Sequence, residues 1–355
     1  MAKKNKKNSP ASENGDLPTN EEKKKEEPKK PYKRTYKRRA KPQYKPPSQL
    51  SFPQFLKLYP NDDTCLEVVF DMRYPPDENG LRLCTKCQKR TIHIRLIARK
   101  CYRCRNCRHH VYPLAGTVME GSNTMLVVWF YAMYQFSICK NGISAKELQR
   151  ALGVTYKTAW SIGIKIREAL SAVDKDGMLF SGTVELDEAL IGGKVRGGKR
   201  GWGAENKTCL FGIKERGGRV KVIAVNNRER ETLFPLIKLH VEEGSKINTD
   251  EFKVYHTLNN EGYTHDTVVH SDYQWSKGET HTNSIEGYWS NLKKSILGTH
   301  TYVSPKHMQK YLCEFDFRHN NRNDLIFNQI LKKVYGTPYN ISVINTSANF
   351  SPKHK

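Results

Sequence analysis

Four cysteines in two pairs, Cys84 with Cys87 and Cys104 with Cys107, constrain this chain more than any other feature. Each C-x-x-C step bends the backbone so that two thiolates face one centre. The inner pair stands 17 positions apart, room for a hairpin that closes a tetrahedral four-sulfur zinc site. The run Thr91-Ile92-His93-Ile94-Arg95-Leu96-Ile97 between them has the β-branched, alternating character of a strand. Cys101 could compete with Cys104 as a ligand, and His109 or His110 could replace one sulfur. The competing assignment, reduced cysteines in a small core, sets exposed thiols beside Lys and Arg, where thiolate character makes them prone to oxidation. The chain has 9 cysteines, an odd number, and five of them fall between Cys84 and Cys107, which argues for a metal site in a reducing compartment over a disulfide framework. A metal with four protein ligands supports a fold and leaves no position for a substrate.

The charge points to a partner. Lys and Arg number 60 against 36 Asp and Glu, a formal net charge of +24 over 355 residues, which favours a polyanion through counterion release. Nucleic acid is the first expectation and an anionic membrane surface the second. No apolar run approaches the ~18 to 20 residues of a membrane span, and the start Met1-Ala2-Lys3-Lys4 has no apolar signal core, so the chain is expected to be soluble, not exported and without a membrane partner. Residues 1–47 are rich in Lys, Glu and Pro with almost no aliphatic side chains and read as a disordered basic arm. Its stretch from Lys29 to Arg39 interleaves cations with Tyr32 and Tyr36, which suits base stacking, nuclear import or plain solubility. Residues 48–120 read as short helices followed by the zinc ribbon, and residues 336–355 as a flexible tail.

Residues 121–175 carry a second nucleic-acid signature. After the apolar run Met125 to Ile138, too short to span a membrane, Ser144 and Glu147 form a capping box, Leu148, Ala151 and Leu152 make one helix face, Gly153 permits a tight turn, and Thr155 caps a further helix to Leu170. This is helix-turn-helix grammar, with Tyr156, Lys157 and Ser161 near the start of the second helix where base edges and phosphates come within reach. An ordinary helical hairpin in a core is the alternative.

Residues 176–335 hold the acids. In Thr183-Val184-Glu185-Leu186-Asp187-Glu188 the alternation puts Glu185 and Asp187 on one face of a strand. A basic loop, Gly192-Gly193-Lys194 to Trp202, precedes a hairpin of Cys209–Ile213 and Val220–Val225. A helix over Thr232–Leu239, a strand Lys246–Thr249 delivering Asp250, a fifth strand Thr267–His270 and a helix over Asn283–Leu297 complete the order βββαβαβα, that of an α/β, RNase H-like domain with a mixed five-stranded sheet. On the last helix Glu286 and Lys293 share a face with Asn283 and Ser290. Three carboxylates on separate elements suit two Mg²⁺ or Mn²⁺ ions. Asp187 would bridge the pair, Asp250 and Glu286 would each hold one, and Lys293 would contact a phosphate. Arg318 and Arg322, with Lys306 and Lys310, could line a DNA track; solvated surface cations are the alternative.

These pieces together resemble bacterial insertion-sequence transposases that join a zinc ribbon to a DDE domain, relatives of the eukaryotic Merlin transposons. The resemblance rests on Cys84 to Cys107 followed by Ala115-Gly116-Thr117, on Leu186-Asp187-Glu188 with Gly192-Gly193-Lys194, on Thr249-Asp250, and on His281-Thr282-Asn283-Ser284-Ile285-Glu286-Gly287-Tyr288-Trp289-Ser290-Asn291-Leu292-Lys293. It covers roughly Ser51 to Arg322. It implies metal-dependent cleavage and strand transfer at the ends of a mobile DNA element by a dimer or larger multimer acting on double-stranded element ends and target. It carries the three acids over to Asp187, Asp250 and Glu286, with Asn283 as a neighbouring ligand or positioner. The alternative is a domesticated, non-catalytic zinc-ribbon DNA-binding protein. The setting would be cytoplasmic and nucleoid-associated in a bacterium, nuclear in a eukaryote.

Overall fold

The computed structural model describes residues 49–171, 179–193, 207–268 and 281–336. The basic arm, the loop from Lys194 to Trp202, the second half of the expected strand 267–270 and residues 337–355 lie outside them. Helix α1 (Phe52–Leu58) ends before Asn61, whose side chain accepts from the Thr64 amide and starts α2 (Asp62–Arg73). The ribbon follows as β1 (Arg82–Leu83) paired with β2 (Arg90–Thr91), then the antiparallel sheet β3 (His93–Leu96), β4 (Cys101–Cys104) and β5 (His110–Val111). Tyr102 on β4 stacks on Phe70 of α2 with ring centroids 3.8 Å apart, so the ribbon shares a core with the helices.

Helix α3 (Leu126–Ile138) is apolar around most of its circumference because it is surrounded by other elements. The helix-turn-helix expectation is realised as α4 (Ala145–Leu152) and α5 (Tyr156–Leu170): both bonds of the Ser144–Glu147 capping box form, Gly153 adopts φ +65°, and Thr155 caps α5. The last helix, α9 (Ile326–Tyr335), returns to this first core, where Phe327, Ile330 and Leu331 pack among Phe55 and Phe130. The expected domain of residues 176–335 groups α9 with the sheet; the apolar face of α9 packs among the N-terminal helices.

Between α5 and α9 runs the mixed five-stranded sheet, in the order β10-β9-β6-β7-β8. β6 (Thr183–Ile191), β7 (Thr208–Glu215) and β8 (Val220–Val225) are antiparallel; β9 (Lys246–Thr249) and β10 (Thr264–Thr267) run parallel to β6. This strand order and direction are those of an RNase H-like sheet. β10 lies three residues earlier than its sequence suggested. Helix α6 (Arg230–His240) and the 3₁₀ segment Lys253–Glu261 cover one face around Leu186, Phe211 and Ile247. Helices α7 (Asn283–Ser295) and α8 (Pro305–Asn320) cover the other around Ala189, Leu210 and Val222.

Helix α8 also closes the outer edge of β8 with side chains. Asn320 bonds both the amide and the carbonyl of Val220, Asp316 accepts from the Val222 amide at 2.8 Å, and Gln309 accepts from Ala224 while donating to the Val222 carbonyl. An edge that would template another strand is thereby satisfied. Asp316 also accepts from the Tyr288 hydroxyl at 2.6 Å, and burial pushes its carboxyl up to about 7 from 3.8. With the folded pKa raised, its contribution to stability is full below about pH 4 and is lost as pH rises through about 7. Asn at 316 keeps both bonds, its oxygen accepting from Val222 and its amide donating to Tyr288. An Asp316→Asn protein is expected to match or exceed the wild-type melting temperature at about pH 8 and to show a flatter profile down to about pH 5. A larger deficit at the higher pH would mean that the ionised form is what the fold requires.

Helices α5 and α8 are joined by a buried ion pair. Arg167 Nε lies 2.7 Å from Glu314 Oε2, and its Nη2 donates to the Ile143 carbonyl at 3.1 Å.

Candidate active site and zinc ribbon

Two backbone turns of the same design bring the four sulfurs together. The amide of Gln88 donates to the Cys84 carbonyl and that of Arg108 to the Cys104 carbonyl. Cys84 and Cys104 in turn donate to the Lys89 and His109 carbonyls. Gln88 and Arg108 both take left-handed φ values, 54° and 60°. The sulfurs of Cys84, Cys87, Cys104 and Cys107 all lie within 4.8 Å of one another, with Cys84 3.6 Å from Cys107 and Cys87 3.9 Å from Cys104. Cys101 is fully buried outside this group, and neither His109 nor His110 belongs to it, so the alternatives left open by spacing resolve in favour of four sulfurs. The Asn106 amide, donating to Cys87, is the main reason that thiol is held down at about 6. Four soft donors at this separation fit a structural zinc ion.

The acids stand on the α7 face of the sheet. Asp187 is in the middle of β6, Asp250 follows the last residue of β9, and Glu286 is in the first turn of α7; all three are half-buried. Burial pushes the Asp187 carboxyl up to about 7, with the charges of Asp250 and Glu286 adding to the shift, against hydrogen bonds from the Glu188 amide and the Trp289 indole. Asp187 thus senses the charges of two groups far from it in sequence. Their oxygens are not drawn together as closely as the sulfurs: among the described residues, only the four cysteines place three or more such ligand atoms mutually within 4.8 Å. The Phe252 amide donates to Asp250 at 3.0 Å, and the Thr282 hydroxyl to Glu286 at 3.3 Å. Glu188, on the opposite face of β6, accepts from the Tyr255 hydroxyl, and burial with the charges of Asp250 and Asp187 pushes it up to about 8.

Two residues that the sequence did not single out shape this site. Trp289, one turn beyond Glu286 on α7, donates its indole N–H to Asp187 Oδ2 at 2.9 Å. It can approach because Gly212, the register partner of Asp187 on β7, has no side chain: a Cβ there would lie 2.6 Å from Trp289 and 2.8 Å from Ile285. Alanine at 212 would push α7 off the sheet. Gly212→Ala is expected to cost about 1 to 3 kcal/mol in urea denaturation and to weaken any divalent-metal binding that needs Glu286 beside Asp187. Unchanged stability would show that α7 yields freely.

The remaining site expectations divide. Asn283 is exposed at the start of α7, and Lys293 is half-buried in its last turn, two turns beyond Glu286. Tyr156 and Lys157 are both exposed in the first turn of α5, with the Lys146 ammonium 5.3 Å from the Tyr156 ring centre. Arg322 is exposed and donates to the Gly217 carbonyl at 3.1 Å. Arg318 does not fit an exposed DNA track. Its side chain is 10% exposed and its guanidinium pairs with the fully buried Glu314 at 2.9 Å, so it neutralises a core carboxylate one turn away. Lys310 pairs with Glu168 of α5.

Comparison with known proteins agrees with this architecture. The ISXO2-like transposase domain matches residues 179–320, which contain the whole sheet with α7 and α8. The transposase zinc-ribbon domain matches residues 60–110. The chain is 28% identical over 233 residues to an uncharacterized protein in the transposable element ISH50 of Halobacterium salinarum, covering 61% of this chain and 77% of the relative. It is 28% identical over 103 residues to an uncharacterized transposase-like protein of Haemophilus influenzae, covering 29% of this chain and 82% of that relative. With ribbon and sheet each matched in the order in which they fold, the chain joins a transposase zinc-ribbon domain to an ISXO2-like transposase domain.

Proposed function

We propose that the chain is a DDE-type transposase that cleaves DNA strands at the ends of a mobile element and joins the freed 3′ ends to target DNA, using Mg²⁺ or Mn²⁺ held by Asp187, Asp250 and Glu286. The observation that carries this reading is the placement of three acids, Asp187 on β6, Asp250 just after β9 and Glu286 in the first turn of α7, near enough that the charges of Asp250 and Glu286 add to the effect of burial on Asp187. Half-exposed carboxylates crowded in this way fit hard cations, which relieve the repulsion and take oxygen ligands. When bound, these ions supply an acidified water or 3′-hydroxyl and stabilise the leaving oxygen.

The chain's own residues orient the acids. The Trp289 indole fixes one Asp187 oxygen, the Phe252 amide holds Asp250, and the Thr282 hydroxyl holds Glu286. Lys293 neutralises a phosphate next to the cut, and Asn283 positions the DNA or a ligand beside Glu286. The exposed first turn of α5, with Tyr156 and Lys157, reads the element end, and Arg322 touches the backbone. The net charge of +24 supports double-stranded DNA as the partner. Strand transfer at two ends calls for a dimer or larger multimer. No helix among the described residues is long and apolar enough to cross a membrane, and the setting we assign is the cytoplasm, on the nucleoid, of a bacterial or archaeal cell.

The test is a strand-cleavage and strand-transfer assay on the DNA flanking the chain's own gene, with and without Mn²⁺. Glu286→Gln is expected to lose at least about 100-fold in rate, and Asn283→Ala less than about tenfold. Cleavage without a divalent ion, or a fully active Glu286→Gln protein, would remove the acid trio from the chemistry.

A further inference from the structure

One row of the sheet, one step away from the acids, is polar where its surroundings are apolar. Asn248, Glu185 and Lys214 are register partners on β9, β6 and β7, so their side chains share the α7 face, and all three are buried. Neither amide atom of Asn248 has a hydrogen-bond partner among the described residues. Stability alone does not explain such a row, since buried charge and an unpartnered amide both cost folding free energy.

At its centre, Glu185 does what the first residues of α7 do not do for themselves. Thr282 makes no side-chain cap. Instead Glu185 Oε2 accepts from the amides of Ser284 and Ile285, each at 3.0 Å, and Oε1 lies 3.4 Å from both Arg216 Nη2 and His281 Nδ1. A strand carboxylate caps the helix, satisfying two orphan N–H groups and opposing the positive end of its dipole. Glu185 is two residues from Asp187 on the same strand face, and the capped amides immediately precede Glu286.

We infer that Glu185 is a positioning residue: by capping α7 from β6 it sets the distance between Asp187 and Glu286. This rests on the acid trio as the metal site. Reach and charge can be separated by two variants. Glu185→Gln keeps the length and an oxygen that can accept from Ser284 and Ile285. Glu185→Asp keeps the charge and loses the reach. Amide hydrogen exchange on the metal-free protein is expected to speed up at Ser284 and Ile285 at least about tenfold in Glu185→Asp and to change by less than about threefold in Glu185→Gln. In Mn²⁺ titrations by calorimetry, the apparent Kd is expected to rise in the same order, at least about tenfold for Asp and under about threefold for Gln.

The opposite order, with Gln more damaging than Asp, would overturn the proposal by making charge the property that matters. Should the Asp variant not fold, the Gln variant alone decides: a loss of Mn²⁺ affinity as large as that of Asp250→Asn overturns it, and near-wild-type affinity with slow exchange at Ser284 supports it. Failure of the acid trio itself reads differently, as wild-type protein whose Mn²⁺ binding is unaffected by Asp187→Asn.

Discussion

An Asp187→Asn protein is expected to lose metal-dependent strand cleavage by at least about 1,000-fold and yet to melt at a higher temperature than the wild type at about pH 8 without metal. Both outcomes follow from one geometry. Asp187 is the acid that the other two repel, and its carboxyl is already pushed up to about 7 by burial and by their charges. A raised folded pKa means that the ionised form burdens the metal-free fold increasingly as pH rises through about 7. Asparagine removes that burden, can still accept from the Trp289 indole, and forfeits the anionic ligand. Below about pH 4 the carboxyl is neutral in the folded and the unfolded chain alike, and the melting temperatures should converge. Such an exchange of stability for activity is what a functional site built from like charges entails. A variant that melts lower at every pH would instead make Asp187 a structural hydrogen-bond acceptor, and full activity would remove it from the site.

Replacing Cys104 by serine is expected to release the zinc and unfold the ribbon, with a correspondingly large loss of binding to element ends. Structural zinc contributes of the order of 10 kcal/mol of folding free energy in small metal-held modules. Here Cys104 is fully buried and ends the strand that also carries Tyr102 onto Phe70. The damage should therefore reach α2 and the first core, while the sheet of residues 179–320 keeps its own two cores on either face. Zinc release by a colorimetric chelator, two separated thermal transitions and Mn²⁺ affinity at the acids within about threefold of wild type are the expected signature. Simultaneous loss of zinc and Mn²⁺ binding would contradict two separable modules.

What was legible in the sequence was whatever chemistry or short-range pattern dictates. The ribbon followed from ligand spacing and the α4–α5 turn from a capping box and a glycine, and β9 stands where a short strand delivering Asp250 is expected. β10 was displaced by three residues because Thr264-His265-Asp266 is a polar edge strand, while the adjacent Val268 and Val269 drew the assignment onward. Arg318 looked like a surface cation, although Glu314, four residues earlier, was a visible helical partner. The contacts that arrange the acids were out of reach. Glu185 to Ser284, Trp289 to Asp187 and the space over Gly212 all depend on how a helix docks on strands some seventy to a hundred residues away, and no local periodicity encodes that.

The return of α9 to the first core bears on how the protein is made. Ribosomes emit chains N-terminus first, so ribbon and helix-turn-helix emerge early but lack the Phe327, Ile330 and Leu331 wall until the whole sheet has followed. A half-synthesised chain would therefore hold an unfinished first core, and on the proposed function any competence to grip an element end would arrive only once the sheet is complete.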